Sequence, residues 1–344
     1  MFISNFKISR ENKPFIIAEM SGNHNKSIER AIKIIEIAAE CGAHAIKLQT
    51  YTADTITIDQ SGGLFDIKDT TSLWENKNLY ELYKEAYTPW EWHEQLFTCA
   101  ARNNIICFST PFDDTAVDFL ESLGAPAYKI ASFENNHHPL LKKVAATGKP
   151  VIMSTGVSSL NDLAESVDVL RKNRCNDLVL LKCTSNYPAS PINSNLRTIP
   201  HLRELFHCEV GLSDHTMGIA VPIAATTLGA TVIEKHFCLS RAEGGVDSAF
   251  SLEPAELSAM VTETERAWQS LGVVQYGIQE IEMKSLNFKR SIYVVKDIAA
   301  GEKFTAENIR VIRPGDGMHP RYYEGLLKSV ATKDHKKGFP LIEI

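Results

Sequence analysis

Eight apolar, β-branched runs alternate with stretches of helical periodicity before Gly272. The runs are Phe15–Met20, Ala45–Thr50, Ile105–Thr110, Ala127–Ser132, Val151–Thr155, Leu178–Ser185, Val210–Thr216 and Val232–Phe237. Near-continuous apolar runs of this kind mark strands covered on both faces, as in a parallel sheet. In the first intervening stretch Ile28, Ala31, Ile32, Ile35 and Ala38 recur at three- and four-residue steps. Ser27 stands ready to cap that helix and Gly42 to stop it. Ser159–Leu163 and Pro254–Leu257 open later helices. Eight strand–helix units predict a (β/α)8 barrel. An open doubly wound sheet would need a Gly-rich phosphate turn after its first strand, and Met20–His24 does not supply one.

One connection breaks the rhythm. Tyr51–Asn104 is far longer than the others and holds Trp74, Trp90 and Trp92, with a helix expected near Tyr80–Ala101. A long insertion after a barrel strand falls on the active-site face. Trp90 and Trp92 read equally well as an aromatic strut over the rim. After Gly272 the periodicity stops, which divides the chain into a barrel over residues 1–272, a linker over 273–289 and a second module over 290–344. That module opens with a strand at Ser291–Val295 and is small enough to have little core of its own.

Composition narrows the function classes. A net charge of −6 leaves no basic excess to neutralise phosphates, so nucleic acid is not an expected partner. No apolar run approaches the roughly 20 residues of a membrane-spanning helix, and the N-terminus lacks the pattern of a signal peptide. Seven scattered cysteines without a Cys-x-x-Cys pair suit a reducing compartment, so a cytoplasmic protein is expected.

The chemistry collects at the C-terminal ends of the strands. Val210–Thr216, a helix over Gly218–Gly229 and Val232–Phe237 form a parallel crossover unit. The unit sets His215 and His236 side by side at matching strand ends, with Asp214 adjacent. Two imidazoles and a carboxylate are the ingredients of a partly open divalent-metal site, although a single histidine more often packs. Lys47 and Lys129 lie within strands, where an ammonium is costly unless paired. With Thr110, Ser132, Ser154, Thr184, Ser185 and Ser213 they read as a cradle for a small polyanion. The competing use of a barrel lysine is a Schiff-base nucleophile.

Ile17–Glu19, Ala45–Thr50, Ser109–Phe112, Ala127–Ser132, Gly211–Thr216 and Glu234–Phe237 together resemble, in one order, the motifs of the sialic acid synthase family. Lys296–Ile298 and Arg313–Gly315 resemble that family's antifreeze-protein-like SAF domain. The resemblance implies a TIM barrel followed by a small C-terminal SAF domain. It implies a transferase that condenses phosphoenolpyruvate with the open-chain aldehyde of an N-acetylated amino sugar, giving a 2-keto-3-deoxy acid and phosphate. His215 and His236 would hold a divalent cation, Mn2+, Mg2+ or Co2+. Lys47, Thr110, Lys129, Ser132, Ser154, Ser185 and Ser213 would hold phosphoenolpyruvate. Gln49, Tyr187, Asp247 and Phe288 would face the sugar, joined by Glu19, while Glu19, Lys47, Lys129 and Glu134 would serve the reaction itself. Arg313 would reach the acylamino group from a partner subunit, making a homodimer with swapped SAF domains.

Two features point within the family. Lys182–Pro188 departs from the neuraminate-synthase pattern, so Ser185 or Asn186 supplies the contact there. Leu73–Glu75, Leu79–Tyr83 and Thr88–His93 are similar to the pseudaminic acid branch, whose sugar is 2,4-diacetamido-2,4,6-trideoxy-L-altrose. A methyl and two acetamido groups suit an aromatic lid, and Trp74 is the residue expected to pack on them. The alternatives are an N-acetylneuraminate or legionaminate synthase using N-acetylmannosamine or a related sugar, a metal-dependent or Schiff-base aldolase, and a non-catalytic binding protein.

Overall fold

The computed structural model describes residues 1–68, 73–75 and 77–343. They form two compact units, Met1–Gly272 and Val273–Ile344. Eight parallel strands close the first unit into a barrel: β1 (Phe15–Glu19), β2 (Ala45–Thr50), β3 (Ile106–Pro111), β4 (Tyr128–Ile130), β5 (Val151–Ser154), β6 (Leu178–Cys183), β7 (Glu209–Asp214) and β8 (Val232–His236). Closure pairs β8 with β1, with Val232 opposite Phe15 and His236 opposite Glu19. A helix follows each strand, beginning with Ile28–Glu40, where Ser27 Oγ accepts the Arg30 N–H at 3.1 Å as the N-cap.

Strand parity decides what the barrel contains. Ile16, Ala18, Ile46, Leu48, Met153, Leu180, Leu212 and Ile233 pack outward against the helices in one core. Phe15, Ile17, Ala45, Phe108, Ala127, Ile152, Val179, Leu181 and Val232 fill the interior in another, with Ile3 and Ile8 of the N-terminal hairpin segment joined to them. Continuing the inward parity along each strand brings Glu19, Lys47, Thr110, Lys129, Ser154, Ser213, Glu234 and His236 to the C-terminal half. The interior is thus apolar below and charged above.

The helix expected near Tyr80–Ala101 is two helices, Leu79–Ala86 and His93–Arg102. Pro89 and the 3-10 turn Trp90–Trp92 separate them, as a proline without an N–H would require. Residues 69–72 and 76 of this insertion lie outside the described residues. The strand expected over Ala127–Ser132 is shorter, because Ser132–Glu134 turns into a 3-10 helix. In the second unit β9 (Ser291–Val294) pairs antiparallel with β10 (Ile309–Ile312). Ile292, Val294, Ile298, Phe304, Ile309, Leu326, Ala331 and Leu341 form its small core. Among the described residues no helix is long and apolar enough to cross a membrane.

Candidate active site

Four ionic side chains stand at the inner strand ends, all nearly sealed from solvent: Glu19, Lys47, Lys129 and Glu234. Lys47 Nζ pairs with Glu19 and donates to Thr110 Oγ1 at 3.1 Å. Lys129 Nζ donates to Ser154 Oγ at 2.7 Å. Glu234 stands between the two ammonium groups, 4.0 Å from Lys47 and 3.7 Å from Lys129, and accepts from Ser213 Oγ at 3.0 Å. Burying any one of these ions alone would cost several kcal/mol, so they hold one another in place. Burial works against charge on Glu234, yet Lys129 and Lys47 outweigh it and hold the carboxyl below its ordinary range. Burial also lowers Lys129, against the pull of Glu234. Glu19 is raised by burial, with Lys47 opposing.

Ser132 and Ser185 converge on Gly156. A Cβ there would meet both Ser185 Oγ and Ser132 Oγ, so glycine lets the two hydroxyls approach without displacing either. Of the residues expected to form the cradle, Lys47 touches Thr110, Lys129 touches Ser154, Ser213 touches Glu234, and Ser185 lines the cavity described next.

His215 and His236 meet across β7 and β8 with ring centroids 5.3 Å apart. His215 Nδ1 donates to the Thr184 carbonyl at 3.0 Å, and burial opposes charge on the ring while hydrogen bonds to Cys183 and Thr184 raise it above the ordinary histidine range. Burial and the surrounding cations hold His236 well below the usual histidine range. Its Nδ1 is buried without a hydrogen-bond partner among the described residues. A neutral imidazole with an unclaimed nitrogen, as at His236, fits a divalent cation, while the His215 side chain also hydrogen-bonds Cys183. Among the described residues no group of three His, Cys, Asp or Glu side chains forms a cage, so the fit is a two-imidazole site with positions left for oxygen ligands. The carboxylate beside it is not Asp214. Asp214 has the opposite strand parity and pairs outside the barrel interior with Lys235 at 2.7 Å. Asp247 takes that place, with Oδ2 3.6 Å from His236 Nδ1.

Above this floor lies a cavity of about 560 Å³. Ser21, Gln49, Glu134, Ser185, Tyr187, His236 and Asp247 line its polar side, and Ile56, Ile67, Trp74, Leu79, Leu82 and Tyr83 of the insertion its apolar side. Trp74 Nε1 donates to the Val246 carbonyl at 3.0 Å, and the Trp74 ring lies 5.8 Å from Tyr187. Tyr187 in turn lies 4.4 Å from the His215 ring. Trp90 behaves as a strut, stacked 4.8 Å from Phe119 and donating to the Tyr51 carbonyl at 3.2 Å. Burial raises the Glu134 carboxyl to about 7 despite Lys129. Phe288 and Arg313 belong to the second unit, where both are exposed. Ser21 went unnoticed in the sequence, and Glu234, read there only as a strand-end residue, was given no role. Glu234 was legible from its parity with His236, whereas nothing in the sequence marked Ser21.

Residues 34–276 match the model of the NeuB family, and residues 289–341 that of the SAF domain. The chain is 44% identical over 338 residues to a pseudaminic acid synthase of Campylobacter jejuni, covering 98% of this chain and 97% of that one. It is 41% identical over 329 residues to a pseudaminic acid synthase of Helicobacter pylori, covering 95% and 96%. Among solved structures it resembles the N-acetylneuraminic acid synthetase of Leptospira borgpetersenii, crystallised with citrate. That match has a TM-score of 0.73 at 33% identity and covers 83% of this chain and 94% of that one. A closed barrel with paired lysines and imidazoles at its strand ends, followed by a SAF domain, makes this chain a member of the NeuB family.

Proposed function

We propose that the protein joins phosphoenolpyruvate to open-chain 2,4-diacetamido-2,4,6-trideoxy-L-altrose, giving pseudaminic acid and free phosphate. One juxtaposition carries the reading. A floor with two buried ammonium groups and converging hydroxyls lies under a cavity whose roof is apolar on the insertion side. The floor suits a small phosphate- and carboxylate-bearing molecule, and the roof suits a sugar that carries a methyl and acetamido groups in place of hydroxyls. The pseudaminic acid synthases at 41–44% identity support the same substrate.

In this reading Lys47, Thr110, Lys129 and Ser154 hold phosphoenolpyruvate, with Ser132, Ser185 and Ser213 completing the cradle. Gln49, Tyr187, Asp247 and Trp74 orient the sugar so that its aldehyde carbon faces carbon 3 of phosphoenolpyruvate. Bond formation leaves positive charge at carbon 2, where water adds. The carbon 2–oxygen bond to phosphate then breaks, and the lysines stabilise the charge that develops on the departing group. Glu134, with Oε2 buried and without a hydrogen-bond partner among the described residues, takes the proton of that water. Glu19 keeps Lys47 charged and in place. His215 and His236 would hold a divalent cation, Mn2+, Mg2+ or Co2+, which when bound withdraws electron density from the aldehyde oxygen.

Phe288 and Arg313 reach a partner subunit's sugar in a homodimer with swapped SAF domains. The row of exposed apolar residues Val273, Val274, Tyr276, Ile281, Met283 and Phe288 supports a surface covered by a second copy. The free cysteines support a cytoplasmic setting. Phosphate release with phosphoenolpyruvate and Mn2+ tests the substrate. Turnover with the diacetamido sugar and little with N-acetylmannosamine is expected, and loss of activity in EDTA. A preference for N-acetylmannosamine would overturn the sugar assignment.

A further inference from the structure

Ser21 sits where a serine is not at ease. It has φ of 48°, a left-handed conformation that costs an L-residue about 1–2 kcal/mol. The surrounding contacts hold it there. Asn23 Nδ2 donates to the Phe237 carbonyl and to Ser251 Oγ, both at 2.9 Å. The Met20 N–H donates to the Lys47 carbonyl at 3.0 Å. A Cβ on Gly22 would lie 3.1 Å from the Ala86 carbonyl oxygen of the insertion. A strained residue fixed from several sides at a cavity wall points to a use for its side chain.

The use follows from counting hydrogens. Ser21 is 4% exposed, and its Oγ donates to Asp247 Oδ2. A hydroxyl has one hydrogen, so Ser21 can only accept from its other neighbour, Gln49 Nε2, at 3.1 Å. The second Nε2 hydrogen goes to Glu19 Oε1 at 2.9 Å. Two carboxylates, both acceptors, therefore orient the relay from its ends and set which way the Gln49 amide is turned. Both amide hydrogens are spent, and the Gln49 carbonyl oxygen remains as an acceptor beside the Asp247 carboxylate.

We propose that Ser21 is a positioning residue whose hydroxyl fixes the polarity of the Gln49–Asp247 pair. This wall of the cavity then offers acceptors and selects a donor on the sugar, either a hydroxyl or an acetamido N–H. The proposal rests on the reading that an amino sugar occupies this cavity. A site built to accept a donor rejects an analogue that lacks it, because its own buried groups go unpaired.

Ser21→Gly is the gentler test on the fold, since glycine suits φ of 48° while the hydroxyl is lost together with its Cβ. Ser21→Ala separates loss of the hydroxyl from relief of the backbone. Both are assayed on whichever amino sugar the wild type turns over, so the choice of sugar can fail without touching this result. Analogues each lacking one donor, by N-methylation of an acetamido group or removal of a hydroxyl, complete the set. Both variants are expected to lose about 10–100-fold in kcat/KM for the sugar, with the KM for phosphoenolpyruvate unchanged. Wild type is expected to reject one analogue by a similar factor, and the variants to lose that discrimination. Wild-type sugar kinetics in Ser21→Gly, a parallel rise in the phosphoenolpyruvate KM, or retained discrimination would each overturn the proposal.

Discussion

Glu134, the proposed base, can take a proton only when ionised. Its carboxyl is raised by burial to about 7, so the ionised fraction grows as pH climbs through that value. A rising limb in kcat/KM centred near 7 is therefore expected. In Glu134→Gln that limb should vanish, leaving a rate about 10²–10⁴-fold lower, as stopped-time phosphate release across pH would show. Lys235 tells a different story one residue from a proposed metal ligand. It faces the helices and pairs with Asp214 at 2.7 Å, with 1% of its surface exposed. Lys235→Met should cost about 3–5 kcal/mol in urea unfolding, because it strands a buried carboxylate. Parity explains why the sequence could bring His215 and His236 together and yet misplace Asp214 beside them. Adjacent residues in a strand point opposite ways, so nearness along the chain argues against nearness in the site. Asp247 and Ser21 come from loops, which have no period to read.

The insertion shows the same contrast at the level of elements. One helix was legible near Tyr80–Ala101 where Pro89 and a 3-10 turn in fact divide two, whereas Trp74 was singled out as the lid residue and Trp90 and Trp92 were left open as struts. Trp90 donates backward to Tyr51 and stacks on Phe119, while Trp74 donates to Val246 beside the polar wall. Trp90→Ala should lower stability by about 2–3 kcal/mol through lost packing, with sugar kinetics per folded enzyme preserved. Trp74→Ala should do the reverse, lowering kcat/KM for the diacetamido sugar about tenfold with little change in Tm. Thermal melts run beside steady-state kinetics distinguish the two. The eight-strand barrel itself was legible because its alternation spans the whole first unit. Strand ends such as Ser132, where the chain turns early, depend on contacts that no local pattern records.

For the molecule as a whole, the proposed swapped homodimer would make each site depend on two chains. His236→Ala removes a barrel residue and Arg313→Ala a residue of the second unit, so each homodimer should be nearly inactive. Co-expressed with separate tags and purified through both, the mixed dimer should regain activity, because one of its sites combines an intact barrel with an intact Arg313. Failure to recover any activity in tag-selected dimers would mean that each chain serves its own site. The pairing of β8 with β1 also bears on how the protein is made. Val232 and Phe15 are neighbours in the barrel but leave the ribosome far apart in time. Until β8 emerges, β1 and β7 both present open strand edges above a half-built apolar interior. Closure is the most non-local event in the chain, and should govern the speed of folding. A nascent chain stalled before residue 232 should stay protease-sensitive and prone to association, and release of the remaining strand should bring protection to all eight at once.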